Sequence, residues 1–274
     1  MKILIIGGGW LGLPLGHFLH TNGHDVLVTK TSKKGCDDLA KTGLHTLHLE
    51  LGTPLSTQSE NHLQDFQPDV IVGCFPPGLR SDTPSRYVEN WRQVSELAVM
   101  HGVGKIIMVS TTGVYPSIAE DMVETRQIGG KDLDEKTQLL LSAEQQVIKS
   151  QVSYTILRCS GLIGPNRHPA RFAKRLKSIS DQAPANMVHL DDVIAVIEFV
   201  LTSGDNEIYN VTTPETVSKY QFYQRATKHY HEPIALPAPS HTQDKRIVAS
   251  KLIAAEFKFK YSHIFNALDA IGTM

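Results

Sequence analysis

A chain of 274 residues, 41% of them hydrophobic, can bury a large core, and a main domain with a smaller lobe is the expected arrangement. Lys and Arg total 27 against 28 Asp and Glu, so the net charge of -1 argues against nucleic acid or an anionic membrane as partner and leaves a small molecule. The three cysteines, Cys36, Cys74 and Cys159, are widely spaced, with neither a disulfide framework nor a CxxC pattern, which fits a reducing cytoplasmic setting.

The first expected strand, Lys2 to Ile6, breaks at glycines after about six residues, too short for a signal-peptide core or a membrane span. Gly7, Gly9 and Gly12 then spell G-x-G-x-x-G, directly ahead of a helix signalled by Leu11, Leu15, Phe18 and Leu19 that ends before Asn22-Gly23. In this context the first glycine permits a tight turn and the second lets backbone approach a pyrophosphate. The third allows close helix-to-strand packing, and amides near Trp10 and Leu11 would face phosphate. Without a ligand, the same residues make a glycine-rich strand-to-helix turn. Pro14 is tolerated because it falls in the first helical turn.

The second strand, Asp25 to Thr29, runs into Thr29-Lys30-Thr31-Ser32-Lys33-Lys34. NAD-binding sheets of this kind usually place an acid here, on the ribose 2′-hydroxyl. Hydroxyl and ammonium groups suit a 2′-phosphate instead, so NADP(H) is favoured over NAD(H); the bland alternative is a solvated basic turn. Further strands are expected at His45 to Leu49, Asp69 to Cys74, Lys105 to Ser110 and Tyr154 to Leu157. Helices are expected at Tyr87 to Met100 following Pro84, at Leu139 to Lys149, and from Asp191-Asp192 through Val200.

Strands this continuously apolar belong to a sheet covered on both faces, so the fold class is α/β, a Rossmann-type doubly wound parallel sheet. Past residue 160 the alternation loosens. Pro165, Pro169, Pro184, Pro214, Pro233, Pro237 and Pro239 suggest a small irregular C-terminal lobe over the sheet's carboxyl edge, where ligands of such sheets bind. The expected division is 1–160 for an NADP(H)-binding domain and 161–274 for a substrate lobe with elements returning to the core.

The glycine turn, "KIIMVSTTGVYP" at 105–116, "YTILRCSGLIGP" at 154–165, "NMVHLDDV" at 186–193 and "NEIYNVT" at 206–212 together resemble the extended or atypical short-chain dehydrogenase/reductases, the superfamily of NAD-dependent epimerases and dehydratases of nucleotide sugars. The resemblance implies that Thr111 hydrogen-bonds the reacting oxygen of the substrate and that Ser110 lies beside the nicotinamide. It also implies that Phe75, Pro76 and Pro77 touch cofactor ribose and phosphates, that Glu50 lies near the adenine, and that Cys159 and Ser160 belong to a loop closing over the nicotinamide. A homodimer through helices flanking the fourth and fifth strands is a further implication. "GGGWLGLPL" is also similar to the opening of β-hydroxyacid dehydrogenases, but the Thr-Thr-Gly-Val-Tyr strand end, "HLDDV" and the proline-rich tail argue against that family.

One piece of the resemblance is missing. The superfamily's Tyr-x-x-x-Lys pair, whose lysine lowers the tyrosine pKa, occurs nowhere in the chain. Aligned on Ala143-Glu144, Lys136 takes the tyrosine position and Leu140 the lysine position. Tyr115 as a phenol, Lys136 as a desolvated ammonium and Thr111 as a hydrogen-bond donor are the candidate replacements, each open to a packing or solvent-facing explanation as well. His189, Asp191 and Asp192 are ligand types without a second cluster, and an Asp just before a helix reads as an N-cap, so no metal is expected. Arg167, Arg171, Lys174 and Arg175 suit an anionic substrate or a solvated face equally. The expected function is NAD(P)-dependent, epimerase/dehydratase-like oxidoreduction of a small polar substrate, with nucleotide-linked compounds among the options. The alternatives are an NADP(H)-binding redox sensor or scaffold without turnover, and a dimerising relic of the fold with no ligand.

Overall fold

The structure is a computed structural model describing residues 1–78, 86–129, 133–228, 230 and 234–272; Pro84 and Pro233 lie outside the described residues. The chain first forms β1 (Lys2–Ile6), α1 (Gly12–Thr21), β2 (Asp25–Lys30), α2 (Lys33–Ala40), β3 (His45–His48), α3 (Thr57–Phe66), β4 (Val70–Gly73), α4 (Arg86–Met100) and β5 (Lys105–Thr111). After the short β6 (Asp121–Met122) come α5 (Glu135–Ile148), β7 (Ser153–Cys159), β8 (Gly161–Ile163), α6 (Ala170–Ala173), β9 (Ile179–Ser180) and β10 (Met187–His189). The chain closes with α7 (Leu190–Phe199), β11 (Glu207–Val211), α8 (Lys219–Lys228), β12 (Pro239–Ser240), β13 (Arg246–Ile247), α9 (Ser250–Ala254) and α10 (Ile264–Asp269).

Seven strands build one parallel sheet flanked by helices, in the order β11-β7-β5-β4-β1-β2-β3. β1 pairs with β2 through Ile3↔Val26 and with β4 through Ile3↔Val70, so strand order reverses beside it. A crevice opens at the carboxyl ends of strands where such a reversal occurs. Ile3 to Ile6 are all buried, as a central strand covered on both faces requires, whereas the edge strand β3 buries only Leu47 well.

The expected strands and helices are present with ends shifted by a few residues, but two helices of this part were not anticipated. The stretch taken for a basic turn starts α2: Ser32 Oγ accepts the Gly35 N–H at 3.1 Å as an N-cap, and Lys33 and Lys34 are the first helical residues. α3, capped by Ser56 on the Ser59 N–H at 3.2 Å, has too few apolar residues to show a stripe.

The chain divides into two compact units. The first comprises Met1–Ser110, Gly130–Leu157 and Ile197–Ile208. Here Trp91 of α4 closes over the end of β4: a Cβ on Gly73 would lie 2.2 Å from the indole. The ring of Phe75 stands 4.7 Å from that of Trp91, and Tyr87 meets Trp91 edge-on at 6.4 Å, so the start of α4 and the segment after β4 are held together.

The second unit comprises Thr111–Gly129, Arg158–Val196 and Tyr209–Met274. Past residue 160 the elements are short, and α8 and α10 pack Phe222, Ala226, Ile264, Ala267 and Leu268 with Ile163 and Ala185 into a core of their own. The prolines punctuate short elements rather than replacing them.

Asp191 and Asp192 lie inside the first turn of α7, not ahead of it as an N-cap. The Asp191 carboxylate accepts from Lys260 Nζ at 2.6 Å and from the Tyr261 hydroxyl at 3.2 Å, while His189 Nδ1 accepts the Asp191 N–H at 3.1 Å. Burial works to raise the Asp191 carboxyl, but Lys260, His189 and Tyr261 outweigh it and hold it low. Burial also pushes the His189 imidazole down. Asp192, fully buried, accepts the Lys260 N–H on Oδ1 at 2.7 Å, and its Oδ2 has no partner among the described residues. Burial pushes this carboxyl up to about 6. The folded state therefore holds more protons than the unfolded one between about pH 4 and pH 6, and the Asp192 contribution weakens as pH rises through that window. Asp192→Asn keeps an oxygen for the Lys260 N–H and removes the charge. In thermal denaturation its melting temperature is expected to exceed wild type by a margin that grows from about pH 4 to about pH 7; a margin independent of pH would show that Asp192 is not the titrating group.

Candidate functional site

Gly7 has φ +103°, a conformation that L side chains rarely adopt. Its N–H donates to Thr29 Oγ1 at 3.0 Å, the Gly8 N–H donates to the Thr29 carbonyl at 2.9 Å, and the Gly9 N–H donates to the Gly7 carbonyl at 2.7 Å. Buried Thr29 thereby ties the turn to β2. A Cβ on Gly12 would lie 2.2 Å from the Gly7 carbonyl oxygen, so α1 starts against the turn only with glycine there. Gly8, outside the G-x-G-x-x-G count, is equally confined, since its Cβ would meet Val28 Cγ1 at 2.7 Å and Leu39 Cδ1 at 2.9 Å. Gly9 is the opposite case: it is exposed, and nothing lies within 4 Å of where its Cβ would be.

A cavity of about 490 Å³ lies over this open face. It takes Gly7, Gly8 and Gly9 from the end of β1, Thr29, Lys30 and Thr31 from β2, Leu49, Glu50 and Leu51 from the end of β3, and Phe75, Pro76 and Pro77 from beyond β4. Four adjacent strand ends thus share one wall, the footprint of an elongated ligand crossing the point of reversal. The Leu13 N–H donates to the Gly9 carbonyl at 3.0 Å, so the amides of Leu11 and Gly12 precede the ladder of α1 at its positive end.

Not every expected residue lines this wall. Trp10, Leu11 and Gly12 are absent from its lining, and the Ser32 hydroxyl accepts the Gly35 N–H as the α2 cap. The sequence reading missed Arg86, Tyr87 and Asn90, which line it from α4. Arg86 and Asn90 are four residues apart and share a helix face, a spacing visible in the sequence but uninformative until the direction of that face is known. The Asn90 Oδ1 is buried with no partner among the described residues, an acceptor that suits a donor on a bound molecule.

Elsewhere in the first unit, Ser110 Oγ donates to Glu144 Oε1 at 2.7 Å, both residues being buried. Lys136 is exposed in the first turn of α5, so the desolvation its proposed acid role required is absent. Leu140 is fully buried.

In the second unit, Thr111 Oγ1 accepts the Gly113 N–H at 3.1 Å and starts the turn at Thr112–Val114. Tyr115 is 2% exposed. Its hydroxyl donates to Asn210 Oδ1 at 2.8 Å and accepts from Arg158 Nη1 at 3.0 Å, while Asn210 Nδ2 donates to the Met122 carbonyl at 2.9 Å. Burial raises the phenol pKa more than Arg158 lowers it, so this proton is held rather than offered. Burial likewise pushes the Cys159 thiol up to about 12, and Ser160 Oγ bonds Thr212 Oγ1 at 3.0 Å. Arg171 donates to the Asn166 carbonyl at 2.9 Å. Among the described residues, no group of three or more His, Cys, Asp or Glu is placed to hold a metal, and no helix is long and apolar enough to cross a membrane.

Comparison with known proteins agrees with this architecture. Protein YeeZ of Escherichia coli (strain K12) is 28% identical over 269 residues, 96% of each chain. The structure of a putative NAD-dependent epimerase/dehydratase from Methylobacillus flagellatus superposes with a TM-score of 0.78 at 24% identity, covering 98% of this chain and 97% of that one. The Bordetella bronchiseptica enzyme WbmH in complex with NAD+ gives 0.74 at 17% identity over 98% and 96%. A dTDP-glucose 4,6-dehydratase from Bacillus anthracis in complex with NAD gives 0.77 at 17% over 99% and 95%. The sequence profile of the NAD dependent epimerase/dehydratase family matches residues 3–212, and with the doubly wound sheet and its glycine turn this chain belongs to that family.

Proposed function

We propose that the cavity over Gly7–Gly9 binds a nicotinamide dinucleotide, NADP(H) in preference to NAD(H), and that the protein is an oxidoreductase of the epimerase/dehydratase kind acting on a small polar substrate. The observation that carries this reading is the open face of Gly9 in a wall made by four successive strand ends. Similar folds hold NAD in WbmH and in the dTDP-glucose dehydratase, and MoeE5 holds NAD together with UDP-glucose. Residues 1–160 would bind the cofactor and 161–274 would carry the substrate lobe. A cytoplasmic homodimer completes the reading, with three free thiols in keeping with a reducing compartment.

The dinucleotide, when bound, supplies hydride transfer. The chain supplies the rest. Gly7 to Gly9 let backbone and the positive end of α1 approach the pyrophosphate. Lys30 and Thr31 face the adenosine ribose, and Phe75, Pro76 and Pro77 form an apolar wall that excludes water. Thr111 orients the substrate oxygen, with Ser110 beside the nicotinamide. A second reading, cofactor binding without turnover, is favoured by the engaged Tyr115 hydroxyl and the exposed Lys136.

Gly9→Val is expected to abolish dinucleotide binding in calorimetry while the melting temperature stays near wild type, because the new side chain enters only the cavity; unchanged affinity would remove the site. Wild type is expected to bind NADPH at least about tenfold tighter than NADH, a gap that Lys30→Asp narrows or inverts. Equal affinities, insensitive to the change, would make the protein NAD-type. Lacking a positioned acid worth about 10²–10⁴-fold, the enzyme should oxidise NADPH slowly with common aldehydes, ketones and simple nucleotide sugars in a stopped-flow assay. Rapid turnover untouched by Thr111→Ala, Tyr115→Phe and Lys136→Met would place the chemistry elsewhere, and tight binding with no turnover would favour the sensor.

A further inference from the structure

The basic stretch after β2 contributes less to the cavity than its composition promises. Ser32 caps α2, Lys33 and Lys34 begin that helix outside the wall, and Thr29 accepts the Gly7 N–H, which leaves Lys30 as the cation on the β2 side. A phosphate dianion held by a single flexible ammonium is weakly and unspecifically bound. Among the described residues the wall contains one further cation, and it comes from α4.

We infer that Arg86 determines which dinucleotide the cavity accepts, by forming with Lys30 the cationic pair that takes the 2′-phosphate of NADP(H). The inference rests on the reading of this cavity as a dinucleotide site and assigns its selectivity to a residue outside the strand-end segment. Arg86 opens α4, and its guanidinium lies against the loop beyond β3: Nη2 and Nε would be 3.6 and 3.8 Å from a Cβ on Gly52. Gln93, two turns along the same face, fastens that loop. Its Oε1 accepts the Gly52 N–H at 2.6 Å and its Nε2 donates to the Thr53 carbonyl at 2.9 Å. Loop and helix are therefore fixed to each other, and the guanidinium lies beside that loop at the wall.

Charge on the same helix points the same way. Arg92 is paired with both Glu89 and Glu96, whereas Arg86 pairs with no carboxylate among the described residues. Among the described residues of the wall Glu50 is the one carboxylate against Lys30 and Arg86, so their balance is net positive. Position selects the phosphate. The pyrophosphate belongs at Gly9 in the turn after β1, a strand two places from β3 and so on the order of 10 Å away at ordinary strand spacing. The adenosine ribose belongs at the end of β2, next to the loop that Arg86 touches. A planar guanidinium opposite an ammonium suits a terminal phosphate, which it can grip through two parallel N–H donors.

Calorimetry on the full chain with 2′,5′-ADP, NADPH and NADH tests this. Arg86 is exposed, so Arg86→Gln should fold normally, with a melting temperature as control. The expected result is a loss of at least about tenfold in affinity for 2′,5′-ADP and NADPH, with NADH within about twofold of wild type and Arg86→Lys between the two. Equal losses for NADPH and NADH would overturn the inference by placing Arg86 on the adenine or the pyrophosphate, and so would unchanged affinities throughout. If wild type binds 2′,5′-ADP in an Arg86-dependent way but neither dinucleotide, the dinucleotide reading fails and the phosphate assignment stands.

Discussion

The carbonyl oxygen of Gly7 occupies the space that a side chain at residue 12 would need, and the first unit is organised around that contact. Because α1 can press its first residue onto the turn, β1 can sit at the centre of the sheet with helix packed directly behind its end. Because Gly7 takes a positive φ, its N–H points at the Thr29 hydroxyl, and the ends of β1 and β2 are fixed relative to each other. Loss of the buried Thr29 hydroxyl would leave the part-buried Gly7 N–H without this acceptor, a cost of at most about 1–3 kcal/mol. The only unconfined glycine of the turn is Gly9, so the same packing that closes three glycines onto protein leaves one face of backbone open.

The opposite wall depends on a second close approach. Trp91 fits over β4 only because residue 73 has no side chain, and the indole then supports Phe75. Offset and edge-on aromatic pairs of this kind contribute about 0.5–1.5 kcal/mol each beyond simple burial. Their larger effect is on position. With Tyr87 and Trp91 locked, the first turn of α4 has one orientation, and Arg86 and Asn90 inherit it.

How legible all this was depends on the distance over which each residue's role is decided. Gly7, Gly9 and Gly12 could be read directly, because a tight turn followed by a helix is a local matter and three glycines at that spacing have few other uses. Ser32 could not: a hydroxyl between a strand and a helix is equally a ligand or a cap, and only the start of α2 decides. Tyr115 was legible as a phenol in a suggestive place, but its partners Arg158 and Asn210 lie 43 and 95 residues away, so its burial was invisible. Arg86 was overlooked for the same reason, since what matters is the loop that its helix faces. In the C-terminal unit, frequent prolines masked α8, where Phe222 and Ala226 carry a helical spacing that was present in the sequence throughout.

The candidate replacements for the missing pair are each engaged or exposed in their own unit. A general acid must be reachable and must release its proton near the working pH. The Tyr115 proton is bound to Asn210 in a buried network and its pKa is raised; Ser110 is joined to Glu144; Lys136 is exposed. Thr111 can align an oxygen, yet a hydroxyl is a poor acid at neutral pH. What these side chains retain is placement, and placement alone can lower a barrier substantially when the reacting atoms are held in near-attack geometry. Under the proposed function, the proton would come from the substrate itself or from a water that the substrate positions, and turnover would then depend on the substrate's own chemistry.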